Sequence, residues 1–447
     1  MKYDMTQGNL TKALISFTVP LILSSLLQQI FNWVDAFIVG NVEGELSLAA
    51  IGATTIIYNL FVMVITGFTA GLAVLSAQWY GKGAPERLKE ILSSFTVLLG
   101  VVFLTAAILG AFFTEQILRL LDTPANIFTE AQEYLQILFI GVPFLAVYNT
   151  YSAVLRGLGD SKAPFFAILV CSVANGLLDL LLVAVMGYGV VGAAVATAAS
   201  QCAMTVVVVV YAVRHYPILR FRFGKGMISK SVLRQGSGFG APPAIQSATN
   251  SFGNILLQRF MNGFGEKTVA AITTAYRVDS VILLPIINLG SGIATVVAQN
   301  IGAGQEDRAK KTLKIGLVMV FSVSVCLTVV VLLFGESLIA MFGLTRASVE
   351  IGSSFFHAIA SCYFVYGLSM ALRGYLEGIG DMLFSGAAAI SALAVRIAAS
   401  YVFAAPFGNM VIAYAEAFSW IVLLAIYICR VVYKIRVKNR PGPAESV

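Results

Sequence analysis

The chain has 447 residues, 58% of them hydrophobic and 11% charged, with a formal net charge of +7 and a mean hydropathy of +0.87. Soluble domains carry about 25% charged residues, so the composition excludes a globular enzyme with one anchor and indicates a chain that lives in lipid. The positive charge is spread over short connections between apolar stretches, which argues against a nucleic-acid partner.

Twelve apolar stretches of spanning length are predicted, since crossing a bilayer takes about 20 residues. The first, 13–40, contains Pro20, a candidate helix bend because its ring removes a backbone hydrogen bond. It also contains Gln28, Asn32 and Asp35 at i, i+4 and i+7, a polar stripe on one helix face. A carboxylate at that depth costs several kcal/mol unless it meets a partner, water or the bundle interior. The next spans are 48–77, 91–113 and 133–155, where Tyr58, Tyr148 and Tyr151 are candidate lining or packing residues. The fifth span, 164–186, repeats the stripe with Ser172, Asn175 and Asp179, and the sixth, 190–213, offers Thr197.

Two carboxylates, an amide oxygen and a hydroxyl are hard ligands suited to a small cation, and the carboxylates serve equally for a proton. Asp35, Asn175, Asp179 and Thr197 are therefore the candidate coupling site for Na⁺ or H⁺. No lysine or arginine lies at comparable depth in the first six spans to neutralise the acids. The opposing reading, interhelical glue worth about 1 kcal/mol per group, suits Gln28 and Ser172 better than two acids.

The second six spans are 234–262, 269–298, 313–334, 350–372, 383–404 and 411–433. They keep a polar stripe in Asn250 and Asn254, which with Gln28, Asn32 and His357 are candidate cavity residues. Their charged residues, Arg277, Asp279, Arg396 and Glu416, contain acids and bases in equal number and read as a structural charge network. Arg259 lies near a span end, where an arginine snorkels. The five cysteines all fall in predicted spans and read as packing residues.

Charge placement orients the chain. Alternate connections, beginning with the N-terminus, hold 23 lysines and arginines, and the opposite ones hold three. The positive-inside rule then puts both termini in the cytoplasm of a multi-pass protein of the cell (plasma or inner) membrane.

A repeat organises the whole. Residues 67–92 align without a gap on 288–313 with nine of 26 positions identical. The shared skeleton is A-Q-x-x-G-x-G-x-x-[ED]-R-x-K. The same offset carries GLGD (157–160) onto GIGD (378–381), and Pro20 falls on Pro242. An even number of spans per copy predicts an all-α polytopic fold: two six-helix bundles related by a pseudo-twofold along the membrane normal. The expected division is 1–213, a basic cytoplasmic linker 214–233, 234–435 and a tail 436–447, with substrate bound between bundles that give alternating access. The acids are not repeated: Asp35, Asn175 and Asp179 fall on Leu257, Arg396 and Ser400.

No G-x-x-x-x-G-K-[ST] loop, zinc-protease motif or Asp-rich prenyl-transfer motif occurs, so neither an enzyme, a cofactor nor an ATPase subunit is expected. Energy for transport then comes from an ion gradient or from a separate partner.

The paired A-Q-x-x-G-x-G sequences, the prolines of spans one and seven and the doubled six-span plan resemble the MATE family of multidrug and toxic-compound extrusion transporters over about residues 10–435. In that family an acid in span one, an Asn-x-x-x-Asp pair in span five and a threonine in span six form a cation or proton site, and Asp35, Asn175, Asp179 and Thr197 match it. Some members also carry acids in spans seven and ten, where this chain has only His357. The resemblance implies an antiporter that exports organic cations or amphipathic drugs as Na⁺ or H⁺ enters. The competing expectation is a flippase for a lipid-linked or amphipathic lipid.

Overall fold

The computed structural model describes residues 4–221, 224 and 227–438, except for the side chains of Asn32, Ala36, Val437 and Lys438. Linker positions 222, 223, 225 and 226 and most of the expected tail thus lie outside the described residues. The chain is helical: α1 (Leu10–Val42), α2 (Glu45–Gly81), α3 (Pro85–Phe112), the short α4 (Thr114–Leu120), α5 (Phe128–Gly157), α6 (Lys162–Asp179) and α7 (Gly189–His215) come first. They are followed by α8 (Lys230–Asn262), α9 (Glu266–Ile282), α10 (Leu284–Gly302), α11 (Glu306–Ala340), α12 (Arg346–Ala360), α13 (Tyr363–Gly378), α14 (Met382–Val402), the short α15 (Ala404–Phe407) and α16 (Val411–Lys438).

Among the described residues, ten helical segments are long and apolar enough to cross a membrane, and α12 with α13, bent by 47°, make an eleventh. Helix α8 is as long as α1 at 33 residues but falls short on apolarity. It carries Arg234, Gln235, Gln246, Asn250, Asn254, Gln258 and Arg259. The eighth predicted span is broken at Leu283 into α9 and α10.

Two compact units are present. One comprises residues 1–8, 15–248 and 302–304, and the other 9–14, 249–301 and 305–447. The first surrounds a core of Leu72, Leu88, Phe95, Leu135, Phe139 and Val154.

The same packing recurs inside each unit. A methyl on Gly157 would sit 2.5 Å from the Ser76 side chain and 2.9 Å from the Ala73 carbonyl. On Gly378 it would sit 2.6 Å from Val297 and 2.8 Å from the Ala294 carbonyl. These are corresponding residues of the repeat, and glycine is required at both because nothing larger lets the two helices approach so closely. The following glycines, Gly159 at φ 86° and Gly380 at φ 91°, end α5 and α13 in the left-handed region.

Aspartates close the repeated turn, by different means. Asp160 accepts the amides of Lys162 and Ala163, both at 3.1 Å, and the hydroxyls of Tyr211 and Tyr216 at 3.1 and 2.8 Å. Asp381 accepts Arg430 at 2.8 Å and approaches Lys434 at 3.3 Å. Burial alone raises the Asp381 carboxyl, but the hydrogen bond from Arg430 and the charges of Lys434 and Arg430 hold it below the usual carboxylate range.

Candidate functional site: an acid pair and an adjoining cavity

The site lies within the first unit. Asp35 stands seven residues from the end of α1, and Asp179 is the last residue of α6. Beyond Asp179 the helix widens into a π-helical segment, Leu180–Val185. Such segments are rare and occur disproportionately at functional sites. The sequence carries no sign of it, since LLLVAV reads as ordinary apolar helix.

Asp35 and Asp179 lie side by side, close enough to share a hydrogen bond once one of them carries a proton. Asp179 is fully buried, and neither of its oxygens meets a donor; the Asp35 Oδ1 is likewise enclosed and unpartnered. Asn175, one turn before Asp179, is 1% exposed, and both its amide atoms lack partners. Among the described residues no lysine or arginine forms an ion pair with either acid. An apolar cluster of Ile38, Val39, Tyr134, Leu138, Val183 and Val190 adjoins the pair, with Val39 one turn after Asp35 and Val183 one turn after Asp179. Tyr134 lies within electrostatic reach of both acids and of Tyr58.

A cavity of about 180 Å³ adjoins this arrangement. Gln28, Tyr58, Asn149, Thr197, Ser200 and Gln201 supply its polar wall. Tyr58 belongs to this wall and packs against the cluster beside the acids, and its hydroxyl accepts a hydrogen bond from Gln201. Thr197 and Ser200 point hydroxyls inward with no partner. Several unsatisfied acceptors and hydroxyls enclosed together are costly unless something polar visits them.

The structure thus brings Asp35, Asn175 and Asp179 together and places Thr197 and Gln28 in the adjoining wall. Asn32 is on the same helix, but its side chain lies outside the described residues. Pro20 lies inside α1, and its carbonyl accepts the Ser24 hydroxyl at 2.8 Å. Tyr134, Asn149 and Gln201 were missed by sequence reasoning. A lone tyrosine or amide in an apolar helix carries no periodic signal, and only packing reveals which face it occupies.

The second unit is arranged differently. Arg396 pairs with Glu416 at 2.8 Å and donates to the Tyr276 hydroxyl at 2.7 Å, while that hydroxyl donates to Glu416 at 2.8 Å. Asp279 accepts the Tyr363 hydroxyl. Arg277 does not join this network: residues two apart on a helix do not face each other, and Arg277 is exposed where Asp279 is buried. Asn250 and His357 are partly buried, and Asn254 is exposed. Among the described residues no cluster of three or more His, Cys, Asp or Glu forms a metal site.

A chain of helices long and apolar enough to cross a membrane, with a buried acid pair in one half, is what a multi-pass membrane transporter requires. Comparison with known proteins identifies its kind. The MatE family model matches residues 20–181 and again 242–402, once in each half. The chain belongs to the MatE family. It is 31% identical over 383 residues to the probable multidrug resistance protein YpnP of Bacillus subtilis, covering 85% of each chain. It is 30% identical over 389 residues to YoeA of the same organism, another probable multidrug resistance protein, covering 84% of this chain and 83% of that one. A MATE crystallised with MaL6 shares the fold with a TM-score of 0.91 at 19% identity, covering 97% of this chain and 98% of the other.

Proposed function

We propose that the protein is a secondary active antiporter that exports cationic or amphipathic drugs in exchange for Na⁺ or H⁺, with Asp35, Asn175, Asp179 and Thr197 as the coupling site. One observation carries the reading: two carboxyl groups meet beside an apolar cluster with no cationic neighbour. Two such groups cannot both remain charged at contact distance without a proton or cation between them. The multidrug names of the Bacillus relatives support the substrate class.

The residues suggest how coupling works. A proton or Na⁺ entering the acid pair removes the repulsion between α1 and the end of α6, which changes the preferred arrangement of α1 about Pro20. Loss of the ion restores negative charge beside the cavity, which favours a cationic substrate. A ligand shifts such an equilibrium only by its differential affinity for the two states. Alternating access by the repeated bundles, with both termini cytoplasmic, completes the proposal.

The test uses inside-out vesicles carrying the full chain, with accumulation of a cationic dye in the lumen followed under separately imposed Na⁺ and pH gradients. Asp35→Asn is expected to abolish the response to whichever gradient drives the wild type. Wild-type export and ion movement by that variant would overturn the coupling role.

A further inference from the structure

One mid-span arginine has no counterpart in the mechanism above. Arg277 lies eleven residues along α9 from Glu266, about 16 Å at the helical rise, and α10 follows after a single break residue. Depth alone would demand a partner, because an unpaired guanidinium facing hydrocarbon is costly. Yet Arg277 is exposed, and among the described residues its guanidinium makes no hydrogen bond or ion pair. The other deep arginine of this unit, Arg396, is held by Glu416 and Tyr276. Arg259 sits three residues from the end of α8 and reaches the interface.

Arg277 opens into a hollow of about 590 Å³ within the second unit, lined also by Asn262, Glu266, Thr273 and Thr274. Glu266, Ala270, Thr273 and Arg277 follow the spacing i, i+4, i+7 and i+11, which puts an acid, a hydroxyl and a guanidinium on one face of α9. The Thr273 hydroxyl is buried without a partner. The Arg277 end of the hollow is therefore rich in donors, and Glu266 supplies acceptors at the other.

We propose that this hollow is a substrate subsite that binds an oxyanion, carboxylate or phosphate, at Arg277 and Thr273. It selects amphipaths that carry an anionic group as well as a cationic one. The planar guanidinium fork matches an oxyanion bidentately, the Thr273 hydroxyl adds a third donor, and Glu266 favours a cation at the far end. The inference rests on the export reading for its physiological meaning, but its test does not.

The experiment measures binding of two dyes to the purified full chain in phosphatidylcholine nanodiscs by fluorescence anisotropy, with no ion gradient. Rhodamine B carries a free benzoate; its ethyl ester replaces that carboxylate with a neutral ester. The acid should bind more tightly than the ester. Arg277→Gln should weaken the acid by about tenfold and the ester less than twofold, while Arg277→Lys retains most of the preference. Thr273→Val should weaken the acid about threefold. Equal binding of the two dyes by wild type, or equal weakening of both by Arg277→Gln, would overturn the proposal. Substituting phosphatidylglycerol for phosphatidylcholine separates the sources of the oxyanion. Phosphatidylcholine is zwitterionic and phosphatidylglycerol net anionic, so if the preference for the acid disappears, an anionic lipid headgroup competes for the hollow; if it persists, the subsite serves soluble amphipaths. Binding is read with no ion gradient, so failure of the coupling mechanism and failure of this subsite give different results.

Discussion

The two halves place their buried charges in opposite ways. In the first, Asp35 and Asp179 meet with no base and with oxygens unsatisfied. In the second, Arg396 occupies the position corresponding to Asn175 and is closed into a network with Glu416 and Tyr276. Duplication supplied the same scaffold twice, as the matching contacts of Gly157 and Gly378 record. What differs is whether the charge is neutralised within the protein. A neutralised network holds helices together; an unneutralised pair is available to an ion. One half is consequently suited to titration and the other to stability.

That contrast can be broken or sharpened experimentally. The largest effect on stability is expected from Glu416→Gln, which leaves Arg396 buried without its counter-ion. Thermal unfolding in detergent should show a loss of about 3–5 kcal/mol, while gradient-driven exchange by the surviving fraction is retained. Asp179→Asn should do the reverse: stability unchanged or raised, because a repulsive contact is removed, with gradient-driven dye efflux reduced by about two orders of magnitude, equivalent to about 2.7 kcal/mol. If Asp179→Asn destabilised as much as Glu416→Gln and spared efflux, the division of labour would be wrong.

Gly157→Val and Gly378→Val test the shared scaffold. Each forces a side chain into a contact already under 3 Å, and each should cost about 1–3 kcal/mol; a large loss in one half only would show that the repeat has diverged in packing as well as in charge. Asp381→Asn should cost about 1–3 kcal/mol by weakening the bonds from Arg430 and Lys434. Because the folded-state carboxyl is held below its ordinary range, this contribution is complete at neutral pH. It is lost only as pH falls through that lowered value, so wild type and variant should converge in stability in strong acid. Tyr134→Phe should change stability by less than about 1 kcal/mol while altering the pH or Na⁺ dependence of efflux, since Tyr134 lies within electrostatic reach of both acids.

Much of this was legible in the chain itself. Apolar run lengths gave most of the spans, and the self-alignment of 67–92 with 288–313 gave the doubled plan. The i, i+4, i+7 spacing of Gln28, Asn32 and Asp35 put them on one face because helical geometry is local. Local geometry also misled where it was ignored: Arg277 and Asp279, two residues apart, could never share a face.

Tertiary structure decided the rest. That Asp35 on α1 meets Asp179 on α6, that Tyr134 on α5 comes within electrostatic reach of both, and that Gly157 lets its helix rest on Ala73 and Ser76 are relations between segments remote in sequence. The break at Leu283 and the π-helical turn after Asp179 arise where packing overrides a uniformly apolar pattern. Sequence fixes which residues a helix presents every turn, because that period is set by its own backbone. Which neighbour receives them is set by how whole helices fill space, and no short stretch of chain encodes it.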